Sequence, residues 1–330
     1  MDVSVAITTY SDGEYLDRLL KDLSVQKCRL NFEIILVEAG NYDIDRAHAC
    51  LSDLSDKLIF IRKPKLSRTE SLNLIFQQAK GNLIVRLDAR SHIDQNYLQN
   101  IFSLAMETGA ENVGGVMAPI ALCDKQKIIA KIMKSPFSFG GGKSRKAKYR
   151  GYADSVYLGA FRKDKCIFGD EWFDSKHPKI SEDSDLNYRI RKNGGKIFID
   201  SSIVVQHYPR ETLVKFYKLC FNYGVGRGLF IIKHRIFSAY RQLVPPISLI
   251  IAISLLIFGL FYPPAIYLLA GLFEFYLIII SIVAISISKN IPQFIMAYMG
   301  FVGCHVCWTA GLLISPYIYR QDIVRKIWRD

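Results

Sequence analysis

Two places in the 330-residue chain concentrate side chains able to do chemistry. One is Glu182-Asp183-Ser184-Asp185, with three carboxylates in four residues. A positioned carboxylate can take the proton of an attacking group. Acids in the first turn of a helix are also favourable for structural reasons alone. The other place is divided among three stretches, each at the end of a short apolar run: Thr8 to Ser11, Glu38 to Asn41, and Asp88 to His92.

The elements that must carry these residues follow from periodicity. Val3–Thr8, Phe32–Val37, Leu58–Ile61 and Asn82–Leu87 are short, β-branched or apolar runs and predict strands. Between and after them, Tyr15–Leu23, Ser71–Ala79 and Tyr97–Thr108 have apolar residues at helical spacing. Leu186–Arg191 continues the acidic stretch at helical spacing until Gly194-Gly195. Strand–helix alternation with polar residues at strand ends marks an α/β domain with a mostly parallel sheet and helices on both faces. Ligands of such sheets bind beyond the carboxyl ends of the strands, so the three stretches are expected on one rim. This places a ligand without naming it. Neither a G-x-G-x-x-G nor a G-K-[ST] motif follows the first strand, which disfavours a dinucleotide site and a P-loop.

The remainder of the chain is different in kind. From Gln242 to Ser288 the only formal charge is Glu274, and from Asn290 to Tyr319 there is none. Three apolar segments result: Leu243–Tyr262, Pro264–Ser288 and Ile291–Ser315, each about the length that crosses a bilayer. The first two are read as spans, and the third as a span or a re-entrant or interfacial helix. Val3–Thr8 is too short and too soon followed by acids to be a signal peptide. The expected arrangement is a catalytic domain over residues 1–235 on the cytoplasmic side of the cell membrane. A multi-pass membrane region with a basic tail follows over 236–330. Lys and Arg just before the first span fit that orientation.

The formal net charge is +13, and nine Lys or Arg with no acid fall in Lys125–Arg150. Beside apolar spans, this charge points to phosphates at an anionic leaflet and to membrane lipids rather than to nucleic acid. The seven cysteines form no framework, and Cys304-His305-Val306-Cys307 lies in an apolar segment without a second pair.

Taken in order, Val5-Ala-Ile-Thr8-Thr-Tyr10, Glu33-Ile-Ile-Leu-Val-Glu38, Asn73, Arg86-Leu-Asp-Ala-Arg90, Gly114-Gly115, Phe139-Gly-Gly-Gly142 and Gly159-Ala-Phe-Arg162 resemble family 2 glycosyltransferases of the GT-A fold. Glu182-Asp-Ser-Asp-Leu-Asn-Tyr-Arg189 with Arg191, then Tyr208-Pro-Arg210 and Tyr223-Gly224, continue the likeness, which is nearest to the succinoglycan-type exopolysaccharide branch. The resemblance implies Asp183 as catalytic base, with Glu182, Arg189, Arg191 and Arg210 on the acceptor side or in support. It implies donor contacts from Thr8, Tyr10, Glu38, Asn41, Asn73, Arg86, Asp88 and Arg90. It also implies a divalent cofactor, Mg2+ or Mn2+, anchored by Asp88. Arg90 stands where the branch often has histidine; arginine is no metal ligand, so either His92 substitutes or Arg90 neutralises phosphate directly. Glu38 stands where the family usually has aspartate.

The implied reaction is inverting transfer from a nucleotide-diphosphate sugar to a polyprenyl-diphosphate-linked or polysaccharide acceptor in surface polysaccharide biosynthesis, alongside other polysaccharide-assembly proteins. The alternatives are a nucleotidyltransferase and a non-catalytic membrane scaffold derived from such an enzyme. The Q-x-x-R-W motif of processive enzymes has no match.

Overall fold

The computed structural model describes residues 1–10, 12–138, 148–174, 181–237 and 240–321. Ser11, Phe139–Gly142 and the basic residues from Lys143 to Lys146 lie outside the described residues, as does the basic tail beyond Gln321.

In chain order the first elements are β1 (Val3–Thr9), α1 (Gly13–Ser24), β2 (Phe32–Glu38), α2 (Ile44–Leu51), β3 (Leu58–Arg62), α3 (Arg68–Gln78) and β4 (Leu83–Asp88). Then come β5 (Ser91–His92), α4 (Tyr97–Thr108), β6 (Asn112–Pro119) and α5 (Asp124–Lys134). They are followed by β7 (Arg150–Tyr152), β8 (Tyr157–Arg162), α6 (Glu182–Lys192) and β9 (Ile197–His207). The chain ends in α7 (Leu213–His234), α8 (Val244–Gly259), α9 (Pro264–Ile287) and α10 (Ile291–Gln321).

Packing divides the chain into two compact units, residues 1–120 with 140–209, and residues 121–139 with 210–327. The first is an α/β unit around one sheet of order β3-β2-β1-β4-β8-β6-β9-β5, with β7 beside β9. The four strands from β3 to β4 are parallel, as alternation predicts. Beyond β4 the sheet is mixed: β8 runs antiparallel to both β4 and β6, while β6 and β9 are parallel. One apolar layer sets Leu16, Leu19, Leu20 and Leu23 of α1 and Leu98 and Ile101 of α4 against Val3, Val5, Ile7, Val85 and Leu87. The opposite layer sets Leu72, Ile75 and Phe76 of α3 and Leu186 and Ile190 of α6 against Ala6, Ile35, Ile84 and Phe161. Successive residues of β1 and β4 thus serve opposite layers, and both strands are buried along most of their length.

The second unit is helical. Among the described residues, α9 and α10 are long and apolar enough to cross a membrane, with mean hydropathies of 2.5 and 1.5 in their best windows. The first apolar segment gives only the 16-residue α8. At 1.5 Å per residue it reaches about 24 Å, short of the roughly 30 Å hydrocarbon layer. Pro245-Pro246 and Pro263-Pro264 limit it on either side. The third segment, expected as a span or a re-entrant helix, is a continuous helix and the longest among the described residues.

The expected boundary at residue 235 falls one residue past α7. In the packing, α7 lies along α10 within the second unit, and α5 joins them. Glycine makes the α7–α10 approach possible: a Cβ on Gly224 would come within 2.0 Å of the Trp308 carbonyl oxygen, and one on Gly228 within 1.8 Å of Ser315 Oγ. Small residues four apart on one helix face let two helix backbones approach closely. Within the same unit, Lys131 of α5 donates to the Ile287 carbonyl at 2.5 Å.

Candidate active site

The rim expected from the strand ends exists. In register, Thr8 of β1 lies between Val37 of β2 and Asp88 of β4, and Thr9 lies opposite Glu38. Glu38 and Asp88 therefore flank the carboxyl end of β1 from either side.

Glu38 is fully buried. Its Oε1 accepts from the Gly40 amide at 2.6 Å. Its Oε2 lies 3.8 Å from Arg62 Nε and has no hydrogen-bond partner among the described residues. A buried acceptor without a donor is costly, and the nearby Arg62 charge offsets part of that cost. The turn after it is tight: a Cβ on Gly40 would sit 1.9 Å from the Tyr10 carbonyl oxygen, so the two rim loops meet there only because residue 40 is glycine. Tyr10 and Asn41 are exposed beside this turn, and Thr8 is half-buried.

Asp88 ends β4 and meets two guanidinium groups. Arg68 Nη2 contacts Asp88 Oδ1, and Arg86 Nη2 lies 3.7 Å from the same oxygen. Burial by itself would raise the Asp88 carboxyl; Arg68 and Arg86 outweigh it and hold it down to about 2. Both arginines also reach Glu182 Oε1, Arg86 Nη2 at 2.7 Å and Arg68 Nε at 3.1 Å. Burial disfavours the Arg68 charge, yet Asp88 and Glu182 raise its proton affinity above the ordinary arginine value.

The acidic stretch opens α6. Its first turn holds Glu182, Asp183 and Asp185, and the preceding Ser181 has φ of 73°. Asp183 is half-buried, and its Oδ1 accepts from the Ser184 amide at 2.8 Å. Burial and the adjacent Glu182 push the Asp183 carboxyl above the usual carboxylate range, and Arg86 pulls it partly back. A carboxylate with raised proton affinity is a better base than a free aspartate.

Other expected residues lie elsewhere. Arg90 is buried, its Nε donating to the Tyr208 carbonyl at 3.2 Å, and its guanidinium stacks 3.8 Å from the Tyr15 ring centroid. His92 pairs through Nδ1 with Asp22 Oδ2 at 2.7 Å. Asn73 is buried and exchanges two hydrogen bonds with the Phe173 backbone. Arg189 pairs with Asp185 at 2.9 Å and bonds the Trp172 carbonyl, and Arg191 pairs with Asp154 at 3.2 Å. Arg210 belongs to the second compact unit.

Sequence reasoning missed Arg68 and His207. The Ser67-x-x-Glu70 capping box places Arg68 at the start of the helix after β3, hence near the rim. His207 ends β9, 3.0 Å from the Tyr157 hydroxyl, and its charge helps lower Asp88. No local signal marks it.

Among the described residues no three His, Cys, Asp or Glu side chains gather as an all-protein metal cage. Asp88, the rim carboxylate, is contacted by Arg68 and lies 3.7 Å from Arg86, so an ion bound there would take the place of a guanidinium.

The mixed α/β sheet with helices on both faces is a GT-A-like fold. The chain belongs to glycosyl transferase family 2, whose family model matches residues 4–168, half of its length. It is 26% identical over 247 residues to the succinoglycan biosynthesis protein ExoA of Rhizobium meliloti, covering 73% of each chain. It is 24% identical over 242 residues to the dolichyl N-acetyl-alpha-D-glucosaminyl phosphate 3-beta-D-2,3-diacetamido-2,3-dideoxy-beta-D-glucuronosyltransferase of Methanococcus voltae, covering 70% of this chain and 74% of the relative. The mannosyltransferase PcManGT from Pyrobaculum calidifontis, solved with GDP-Man and Mn2+, shares the fold. Its TM-score is 0.65 at 16% identity, over 96% of this chain and 87% of its own.

Proposed function

We propose that this protein transfers a sugar, with inversion, from a nucleotide-diphosphate sugar to a polyprenyl-diphosphate-linked or polysaccharide acceptor during surface polysaccharide biosynthesis. The observation that carries this reading is the meeting of Asp88, at the end of β4, with Glu182 at the head of α6, through Arg68 and Arg86. Asp183 adjoins Glu182 in that cluster, which supports reading Asp88 as the phosphate-side acid and Asp183 as the base. The names of the two relatives, one in succinoglycan biosynthesis and one acting on a dolichyl phosphate sugar, support a lipid-linked or polysaccharide product.

In this mechanism Asp183 takes the proton of the acceptor hydroxyl as its oxygen attacks the anomeric carbon. The bond to the diphosphate breaks on the opposite face, so one displacement inverts the centre. Asp88 would hold Mg2+ or Mn2+, which when bound supplies positive charge against the diphosphate. The turn after Glu38, where Tyr10 and Asn41 are exposed, is the side that meets the donor's base. Glu182, fixed by the two arginines, keeps Asp183 basic. The α/β unit works at the cytoplasmic face, and the apolar helices bring it to its lipid acceptor.

The deciding experiment incubates purified full-length protein with a panel of nucleotide sugars, with and without polyprenyl-diphosphate-linked acceptors, and follows product by mass spectrometry. Acceptor-dependent sugar transfer is expected. Nucleotidyl transfer to a sugar phosphate, with no glycosyl product, would assign the site to another reaction.

A further inference from the structure

The acids of the site are held by arginines, and one of those arginines rests on an unusual support. Arg86 is buried in the sheet, and among the described residues its Nε and Nη1 have no hydrogen-bond partner. Its guanidinium carbon lies 5.9 Å from the ring centroid of Phe173, over the ring face. A cation without acceptors on one side is best met there by an aromatic face. Phe173 is itself fully buried and packs edge-on to Phe76 and Phe161, with centroids 5.2 and 6.2 Å away.

Phe173 lies outside any strand or helix, so its backbone needs partners from elsewhere. Asn73 of α3 supplies both. Its Nδ2 donates to the Phe173 carbonyl at 2.6 Å, and its Oδ1 accepts from the Phe173 amide at 2.8 Å. The side-chain amide thus serves Phe173 as a neighbouring strand would. Such a reciprocal pair fixes both position and rotation of the residue it grips. Asn73 is 8% exposed, and its amide already has two short bonds.

We propose that Asn73 and Phe173 are positioning residues for the catalytic acids. Asn73 grips the Phe173 backbone, the Phe173 ring carries Arg86, and Arg86 holds Glu182 and the first turn of α6. The inference rests on the proposed role of Asp183 as base. It gives Asn73 a task on the catalytic step, where the family resemblance implied a donor contact.

The test uses full-length protein in detergent and the variants Asn73→Ala and Phe173→Leu. The second keeps an apolar filler and guards against a variant that does not fold. Hydrogen exchange is read first, since it needs no substrate. The amides from Asp185 to Arg189 should exchange about tenfold faster in both variants, while those of α1 and α4 keep their protection. Calorimetric affinity for UDP or GDP, whichever the wild type binds, should stay within about twofold. With the donor and acceptor found above, kcat should fall by about 10- to 100-fold at unchanged donor KM, as expected when a reacting group is displaced. The double variant should lose little more than either single one, because both act through Arg86. Unchanged exchange in α6 overturns the proposal. So does a loss of nucleotide affinity at unchanged kcat, which would make Asn73 a donor ligand. A wild type that transfers no sugar, with variants that still show faster exchange in α6, would fault the proposed reaction and leave the support of α6 standing.

Discussion

Arg86 Nη2 and Glu182 Oε1 are 2.7 Å apart, although 96 positions separate them in the chain. Both side chains are almost wholly buried. The pair ties the end of a central strand to the head of the helix that bears Asp183. Removing one member of such a pair leaves an unmatched buried charge, typically costing about 3–5 kcal/mol. The contact thus fixes the geometry of the two acids on which the proposed reaction depends.

Asp183→Asn keeps size and hydrogen bonding but removes the base. Turnover is expected to drop by about 10²–10⁴. Donor affinity, read by calorimetry with the nucleoside diphosphate, should hold. Wild-type turnover in the purified variant would take Asp183 out of this role.

The acid limb of the pH–rate profile follows from the same residue. Asp183 must be ionised to act, and burial and Glu182 raise its proton affinity. Activity should therefore fall with acidification through a midpoint above the ordinary aspartate value. Glu182→Gln removes the neighbouring negative charge and should move that midpoint to lower pH. A limb that stays in place, or moves to higher pH, contradicts the assignment.

Asp88→Ala should abolish transfer, and chelation of divalent ions should reduce transfer by the wild type. Adding back Mn2+ or Mg2+ should restore it. Full activity after verified removal of divalent ions would refute Asp88 as an anchor for the ion.

Arg90 bonds the Tyr208 carbonyl and stacks on Tyr15. Arg90→Lys cannot reproduce the planar fork or the stack. Stability should drop by about 1–3 kcal/mol, the cost of a broken buried hydrogen bond. Affinity for the nucleoside diphosphate should be unchanged. Thermal unfolding and calorimetry on one preparation check both halves.

Gly228→Leu would place a side chain where even a Cβ comes within 1.8 Å of Ser315 Oγ. The α7–α10 contact cannot close around it, and overpacking of this kind costs about 1–3 kcal/mol or more. Detergent-solubilised protein should unfold at lower temperature and expose α7 to protease. Wild-type protease resistance would show that the two helices do not need this approach.

Much of the protein was legible in local pattern. Val3–Thr9, Phe32–Glu38 and Leu83–Asp88 were readable because parallel buried strands are continuous apolar runs, with Leu58–Arg62 a similar run at the half-buried sheet edge, and polar residues at their ends mark a rim. The acidic stretch and the nearly charge-free run from Gln242 to Tyr319 were equally plain, since neither depends on what lies across the fold. β6 was not readable: Gly114-Gly115 interrupts its apolar run, and it forms a strand because β8 and β9 pair with it. Nor could sequence tell that α7 belongs with α10, because a glycine has meaning only when a backbone lies against it. The arginines show the division most clearly. Arg86, Arg68 and Arg90 are chemically alike, and all stand near strand or helix ends. Tertiary structure gives the first two to Glu182 and Asp88 and turns the third onto Tyr15 and the Tyr208 carbonyl. A charge acts over a few ångströms of space, and spacing along the chain does not measure that distance.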